Sequence, residues 1–265
     1  MLLREESPAR ELRVDGVSVR FEGLTALADV SIAIGADEVL GVIGPNGAGK
    51  TTLFNAICGF VRPDSGTITW RGESLRGVRP HQLTRLGIAR TAQGLRLFPH
   101  LTAVENVMVG GDHLHRAGVG ASLLGLPVSD RAERELRRAA LDALEQAEVA
   151  DVAERRADGL PYPVQKRVAL ARALVAHPEL LLLDEPAGGL GADDVSALAA
   201  LIRGLRGSLS VMLVEHRMDL VMSVCDRVAV LDSGRLIAQG APHEVQQNPV
   251  VLDAYLGAED EQPDA

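Results

Sequence analysis

Residues 44–51, Gly44-Pro45-Asn46-Gly47-Ala48-Gly49-Lys50-Thr51, constrain this chain more than any other stretch. They fit the spacing of a glycine, four residues and then Gly-Lys-Ser/Thr, and their surroundings fit as well. An apolar run, VLGVIG, leads in and predicts a buried strand, while KTTLFNAICG leads out and predicts a helix ending at Gly59. A loop so placed aims backbone N–H groups and a helix N-terminus at one point, which makes a cradle for phosphate. Its glycines let the ligand approach the backbone. Lys50 is placed to reach the outer phosphates and the Thr51 hydroxyl to hold Mg²⁺. Gly44 to Thr51, with Thr52 behind them, are therefore the nucleotide-binding candidates, and a Gly-rich turn of no function is the plainer alternative.

The run LLLLDE at 180–185 supplies a second half. Four leucines predict a buried strand, and Asp184 and Glu185 emerge at its carboxyl end, where open α/β sheets place their ligands. Beside a phosphate-binding loop, Asp184 suits Mg²⁺ and Glu185 suits the orientation or deprotonation of an attacking water. A solvated pair of acids is the competing reading.

The remaining pattern agrees with an α/β fold. VDGVSVRFEG alternates as a half-buried strand does, and SIAIGADEVLGVIG gives further strand broken at Gly-Ala-Asp. In RAERELRRAALDALEQAEVA, Leu136, Ala140, Ala143, Leu144 and Ala147 line one helical face. Helix VQKRVALARALVA, strand ELLLLDE, helix DVSALAALIRGLR, strand SVMLVEH, helix MDLVMSVC and a last strand RVAVLDSGRLIAQG follow. Helices alternating with apolar strands imply a parallel sheet. Residues 110–130 carry five glycines without a sustained period and are expected to form a surface insertion, and the acidic last eight, AEDEQPDA, a disordered tail.

Composition excludes several classes. The 27 basic against 36 acidic residues leave a formal charge of −9, with no basic cluster, which argues against a general nucleic-acid binder. Two cysteines, Cys58 and Cys225, sit in apolar runs without metal-ligand spacing, so a disulfide framework is not expected, and a reducing cytosol fits. No run approaches the ~20 apolar residues of a bilayer span, and the start, MLLREESPARE, lacks the apolar core of a signal peptide.

RVALARALVAHPELLLLDEP together with GPNGAGKTTL resembles the ATP-binding subunits of ABC transporters, over residues 11–257. The resemblance implies a P-loop NTPase core of ABC ATPase type following an N-terminal tail at 1–10, a β-rich N-terminal region, a helical subdomain at roughly 95–165, and ATP with Mg²⁺. It carries further residues over. Gln93, in ARTAQGLRLFPHLTAVENV, matches the glutamine that senses the metal and the membrane partner. His216, in LVEHRMDL, matches the switch histidine that contacts the γ-phosphate, and Phe21, in VRFEG, the aromatic that stacks on adenine. A loop amide, a structural histidine and a core phenylalanine are their plainer readings. Leu160, Pro161, Tyr162, Pro163, Val164 and Gln165 occupy the signature stretch, which in the family presses a helix N-terminus onto the nucleotide of a facing subunit.

Within the family, LTALADVS, LRLFPHLTAVENVMVG, LPY, VVLDAYLG and the insertion resemble the branch serving branched-chain amino acid importers. That branch uses Leu-Pro-Tyr-Gly, so Pro163 departs from it. Proline is tolerated in a first helical turn but has no N–H, and it biases the residue before it towards extended backbone, so LPYP predicts a stiff extended approach lacking one phosphate donor. Gly191 in place of Asn or Asp, Ala92 in place of Phe, and Arg217 in place of Asp are further departures. The resemblance implies a second ABC ATPase subunit, identical or different, separate transmembrane permease subunits, an external solute-binding protein, and a peripheral place on the cytoplasmic face of the cell membrane. A related transporter of urea, amides or lipid, and a soluble regulatory ABC ATPase, stay open. A DNA-repair ATPase would carry a long coiled-coil insertion that is absent from this sequence.

Overall fold

A computed structural model describes residues 10–91, 94–111 and 127–259. Its strands are β1 (Leu12–Phe21), β2 (Leu24–Ile34), β3 (Val39–Ile43), β4 (Ser65–Trp70), β5 (Glu73–Ser74), β6 (Ile88–Arg90), β7 (Leu180–Asp184), β8 (Ser210–Val214), β9 (Arg227–Asp232) and β10 (Arg235–Gly240). Its helices are α1 (Lys50–Ile57), α2 (Ala103–Gly110), α3 (Pro127–Gln146), α4 (Tyr162–Leu174), α5 (Ala192–Gly204), α6 (Met218–Val224), α7 (Pro242–Gln246) and α8 (Pro249–Glu259).

Two sheets form. An antiparallel sheet has the order β2-β1-β4-β5, and a second has the order β10-β9-β3-β8-β7-β6, parallel throughout except for β10. The parallel strands read as unbroken apolar runs because both of their faces are covered. Along β7, Leu181 and Leu183 face the helices, whereas Leu180 and Leu182 face α1 and the antiparallel sheet, and Val211 and Leu213 against Met212 and Val214 repeat this in β8. Gly41 in β3 is required by packing. A Cβ there would sit 2.8 Å from Cys225 Sγ. Cys58 and Cys225 are free and buried, and burial pushes their thiols up to about 11 and about 12.

The helical part is seated by polar bonds as well as by its apolar face. The α3 residues Leu136, Ala140, Ala143 and Leu144, with Ala147 just beyond, are buried as their spacing predicts. At the start of α2, Thr102 and Glu105 form a capping box. Asn106, fully buried, donates to the carbonyls of Phe98, Leu101 and Thr102 and accepts from Phe98 N. The four-stranded sheet is tied on by Trp70, 3% exposed, whose Nε1 donates to Leu86 O at 2.9 Å.

Several boundaries differ from expectation. The last strand is a hairpin: Ser233 and Gly234, at φ +46° and +76°, make a two-residue turn that sends β10 back along β9 as an antiparallel edge. Of the acidic stretch 258–265, Ala258 and Glu259 belong to α8. α4 runs across residue 165, from Tyr162 to Leu174. Of the insertion, Gly110 closes α2 and residues 127–130 open α3, while 112–126 lie outside the described residues, as do 1–9, 92–93 and 260–265.

Candidate nucleotide site

The loop after β3 is held by two approaches that only glycine allows. Gly44 has φ +149°, and a Cβ on it would meet Leu231 O at 2.0 Å; Gly49 has φ +100°, and a Cβ would meet Ala26 O at 2.6 Å. The loop therefore lies pressed between β9 and the β1–β2 hairpin. Gly47, at φ +78°, has open space where a Cβ would stand, so this side of the loop is free for a ligand. The first-turn amides of α1 have no carbonyl partners within the helix and point towards the same space. Lys50, 8% exposed, donates from Nζ to Gly44 O and Pro45 O at 2.7 Å each. Burial lowers its pKa and the nearby charge of Glu185 acts against that. Thr51 is exposed at the mouth and Thr52 half-buried.

Phe21 ends β1 and is 46% exposed, opposite Leu24 and close to the stretch of β2 that abuts Gly49. The ring is therefore on the surface of the hairpin beside the loop and is not a core residue.

Asp184 and Glu185 stand at the end of β7, where Glu185 takes φ +47° and donates its N–H to Val214 O at 2.9 Å, turning the chain out of the sheet. Burial raises the pKa of Asp184, the charges of Glu185 and Glu215 raise it further, and Arg90 opposes them. Arg90 itself lies 4.3 Å over the Phe60 ring. The excess of negative charge between Asp184, Glu185 and Glu215 suits a bound cation. Among the described residues no group of three or more His, Cys, Asp or Glu is placed to hold a metal ion. His216 follows β8, with its side chain 57% exposed at the same sheet edge.

The signature stretch is placed differently from expectation in one respect. Pro161 is the N-cap of α4, at φ −58° and ψ 148°, and Leu160 is extended, but Tyr162 already belongs to the helix, with Pro163 in its first turn. Anchoring overrides the extended bias of a residue before proline: Tyr162 Oη donates to Gly188 O at 3.3 Å, and Lys166, one turn on, lies 5.6 Å from its ring. Gln165 Nε2 donates to Leu160 O at 2.8 Å, while Val164 is half-buried against the helical core. Among the described residues no hydrogen bond joins 160–165 to 44–52. Gly191 caps α5 without a side-chain acceptor. Gln93 lies outside the described residues.

Sequence reasoning missed three neighbours. Lys166 Nζ donates to the carbonyls of Glu185 and Pro186 at 3.2 and 2.9 Å, and burial lowers its pKa. Glu215 is completely buried at the end of β8. The Tyr255 hydroxyl is buried by the Gly44 backbone, and burial raises its pKa. An acid ending an all-apolar strand was the available signal for Glu215. For Lys166 and Tyr255 there was none.

A phosphate-binding strand–loop–helix, a carboxylate pair two strands away, an adjoining histidine and an antiparallel sheet bearing an exposed ring define an ATP-binding cassette ATPase. The chain belongs to the ABC transporter family, whose pattern matches residues 27–188, and residues 235–261 match the segment described as branched-chain amino acid ATP-binding cassette transporter. It is an ATPase subunit of a transporter. The high-affinity branched-chain amino acid transport ATP-binding protein LivG of Salmonella typhimurium is 42% identical over 93% of this chain and 97% of its own length. BraF of Pseudomonas aeruginosa, of the same description, is 41% identical over equal shares. Among solved structures, the ADP conformation of MJ1267, an ATP-binding cassette of an ABC transporter, superposes with a TM-score of 0.81 at 28% identity, covering 93% of this chain and 98% of that one.

Proposed function

We propose that this chain powers import of branched-chain amino acids by hydrolysing MgATP. The observation that supports the catalytic reading is that the loop after β3 and the carboxylate pair ending β7 leave the same carboxyl edge of one parallel sheet, with only β8 between them. The agreement of residues 235–261 with the branched-chain segment supports the solute class.

In this reading Gly44 to Thr52 wrap the phosphates, Lys50 leaving its loop carbonyls to pair with them, and Phe21 stacks on the base. Thr51 and Asp184, with Gln93, would hold Mg²⁺, whose charge would offset that of the phosphates. Glu185 orients or deprotonates the attacking water, and His216 donates to the terminal phosphate. Leu160 to Gln165 face the nucleotide of a second ATPase chain. Permease subunits, reached from the outside by a solute-binding protein, hold the pair at the cytoplasmic face of the membrane. No helix among the described residues is long and apolar enough to cross it.

The test is reconstitution with the permease subunits and the solute-binding protein of a branched-chain amino acid importer. Leucine-loaded binding protein is expected to stimulate ATP hydrolysis, and Glu185→Gln to retain nucleotide while turnover falls by at least ~100-fold. Stimulation by urea or by a lipid instead of leucine overturns the solute class, and parental turnover in Glu185→Gln overturns its role.

A further inference from the structure

Glu215 has no part in the reading above, yet it is a completely buried carboxylate. A charge survives in such a place only when its oxygens are hydrogen-bonded. Its donors are three backbone amides from two separate segments. Ala187 N reaches Oε1 at 2.8 Å, while His216 N and Arg217 N reach Oε2 at 2.7 and 3.0 Å, and His216 Nδ1 lies 3.4 Å from that same oxygen. One oxygen thus holds the turn that follows Glu185, and the other holds the segment that carries His216. Arg217 adds a second tie: its Nη1 donates to Leu190 O at 3.1 Å, with Nε and Nη2 fixed by Asp219 at 3.2 and 2.6 Å. On the opposite flank, Lys166 and Tyr162 of α4 donate to the carbonyls of Glu185, Pro186 and Gly188.

We propose that Glu215, assisted by Arg217, is a positioning residue that joins the 185–190 turn and the 215–217 segment into one unit, so that a phosphate contact made by His216 is passed to the turn and on to the start of α4. The proposal rests on the reading of His216 as a phosphate contact. A carboxylate suits the position because each of its oxygens accepts from a different segment. A glutamine of the same shape has one acceptor oxygen and turns an NH₂ group towards backbone N–H donors, so it keeps one flank and loses the other. A small hydroxyl cannot span both.

Amide hydrogen exchange on the full chain, alone and with Mg²⁺ and a non-hydrolysable ATP analogue, reads the coupling directly, and steady-state kinetics in the assembled transporter read its consequence. In the parent, the analogue is expected to slow exchange at 187–190 and at 216–217 together. In Glu215→Gln, exchange at Ala187 is expected to rise even without nucleotide. The analogue then still protects 216–217 but not 187–190, and kcat falls about tenfold or more while KM stays within about threefold. Arg217→Ala, which removes a half-buried side chain outside the hydrophobic core, should loosen only the Leu190 end and lower kcat less. Parental exchange at Ala187 together with parental kcat in Glu215→Gln overturns the proposal. So does a parent in which nucleotide protects 216–217 without 187–190. If the analogue binds but leaves 216–217 of the parent unprotected, the reading of His216 fails, while exchange at Ala187 without nucleotide still decides whether Glu215 ties the segments.

Discussion

Lys50 bonds to carbonyls of its own loop, Gly44 O and Pro45 O, and in the proposed mechanism exchanges them for phosphate oxygens. Its removal is expected to weaken ATP by at least ten- to a hundredfold, the equivalent of the ~1.5–3 kcal/mol of a charge-assisted bond. Calorimetric titration of Lys50→Ala checks this, and parental affinity would refute it. Asp184 offers a prediction of opposite sign for stability. Burial and Glu185 raise its folded pKa above the ordinary carboxylate value, so between the two values the native state binds more protons than the unfolded one. Stability then falls as pH rises through that window and stays lowered at neutral pH. Asp184→Asn is expected to raise the neutral-pH melting temperature and flatten its acid-side pH dependence, while abolishing Mg²⁺-dependent turnover. A lower melting temperature would count against the burial argument. The two residues at stake here were legible because fixed spacing and strand ends announce them. An acid ending an all-apolar strand singles out Glu215, but its partner is not legible, since Ala187 lies 28 positions away and nothing local to LVEH reveals it.

At the scale of elements, the nucleotide loop is shaped by what it touches. Adding one methyl at Gly44 puts a Cβ 2.0 Å from Leu231 O, which no rotamer can relieve. Gly44→Ala should therefore cost about 1–3 kcal/mol in strain and lose nucleotide binding, whereas Gly47→Ala, with open space, should fold normally at a smaller cost in left-handed backbone energy. Comparing the two melting curves decides it. In α4, Pro163 stands in the first turn, where its fixed φ suits the helix. Pro163→Gly is expected to lower stability by ~0.5–1 kcal/mol through added freedom of the unfolded chain, even as it restores an N–H at the helix start. The strand and helix order was readable from period and length. The β9–β10 hairpin was not separated in advance because Asp-Ser-Gly sits inside an otherwise continuous apolar run, and the helical state of Tyr162 depends on Gly188, 26 residues onward.

For the whole assembly, Pro163 predicts asymmetry. A nucleotide facing this chain's α4 lacks one backbone donor, so in a mixed pair the site built on this chain's Lys50 should carry most turnover, and two copies of this chain together should turn over slowly. Introducing Lys50→Ala here, or its equivalent in the partner ATPase, silences one site at a time. Equal losses, with no gain from Pro163→Gly, would show the proline to be neutral. The seam between the two sheets lends itself to a different kind of observation. Trp70 is the sole tryptophan of the chain, and its indole N–H is bonded across that seam to Leu86, two residues ahead of β6. Tryptophan emission from this protein consequently originates at a single known junction. During chemical denaturation its red shift marks the moment the antiparallel sheet parts from the rest, and a shift preceding the loss of helical circular dichroism would reveal that sheet as a separable cooperative unit.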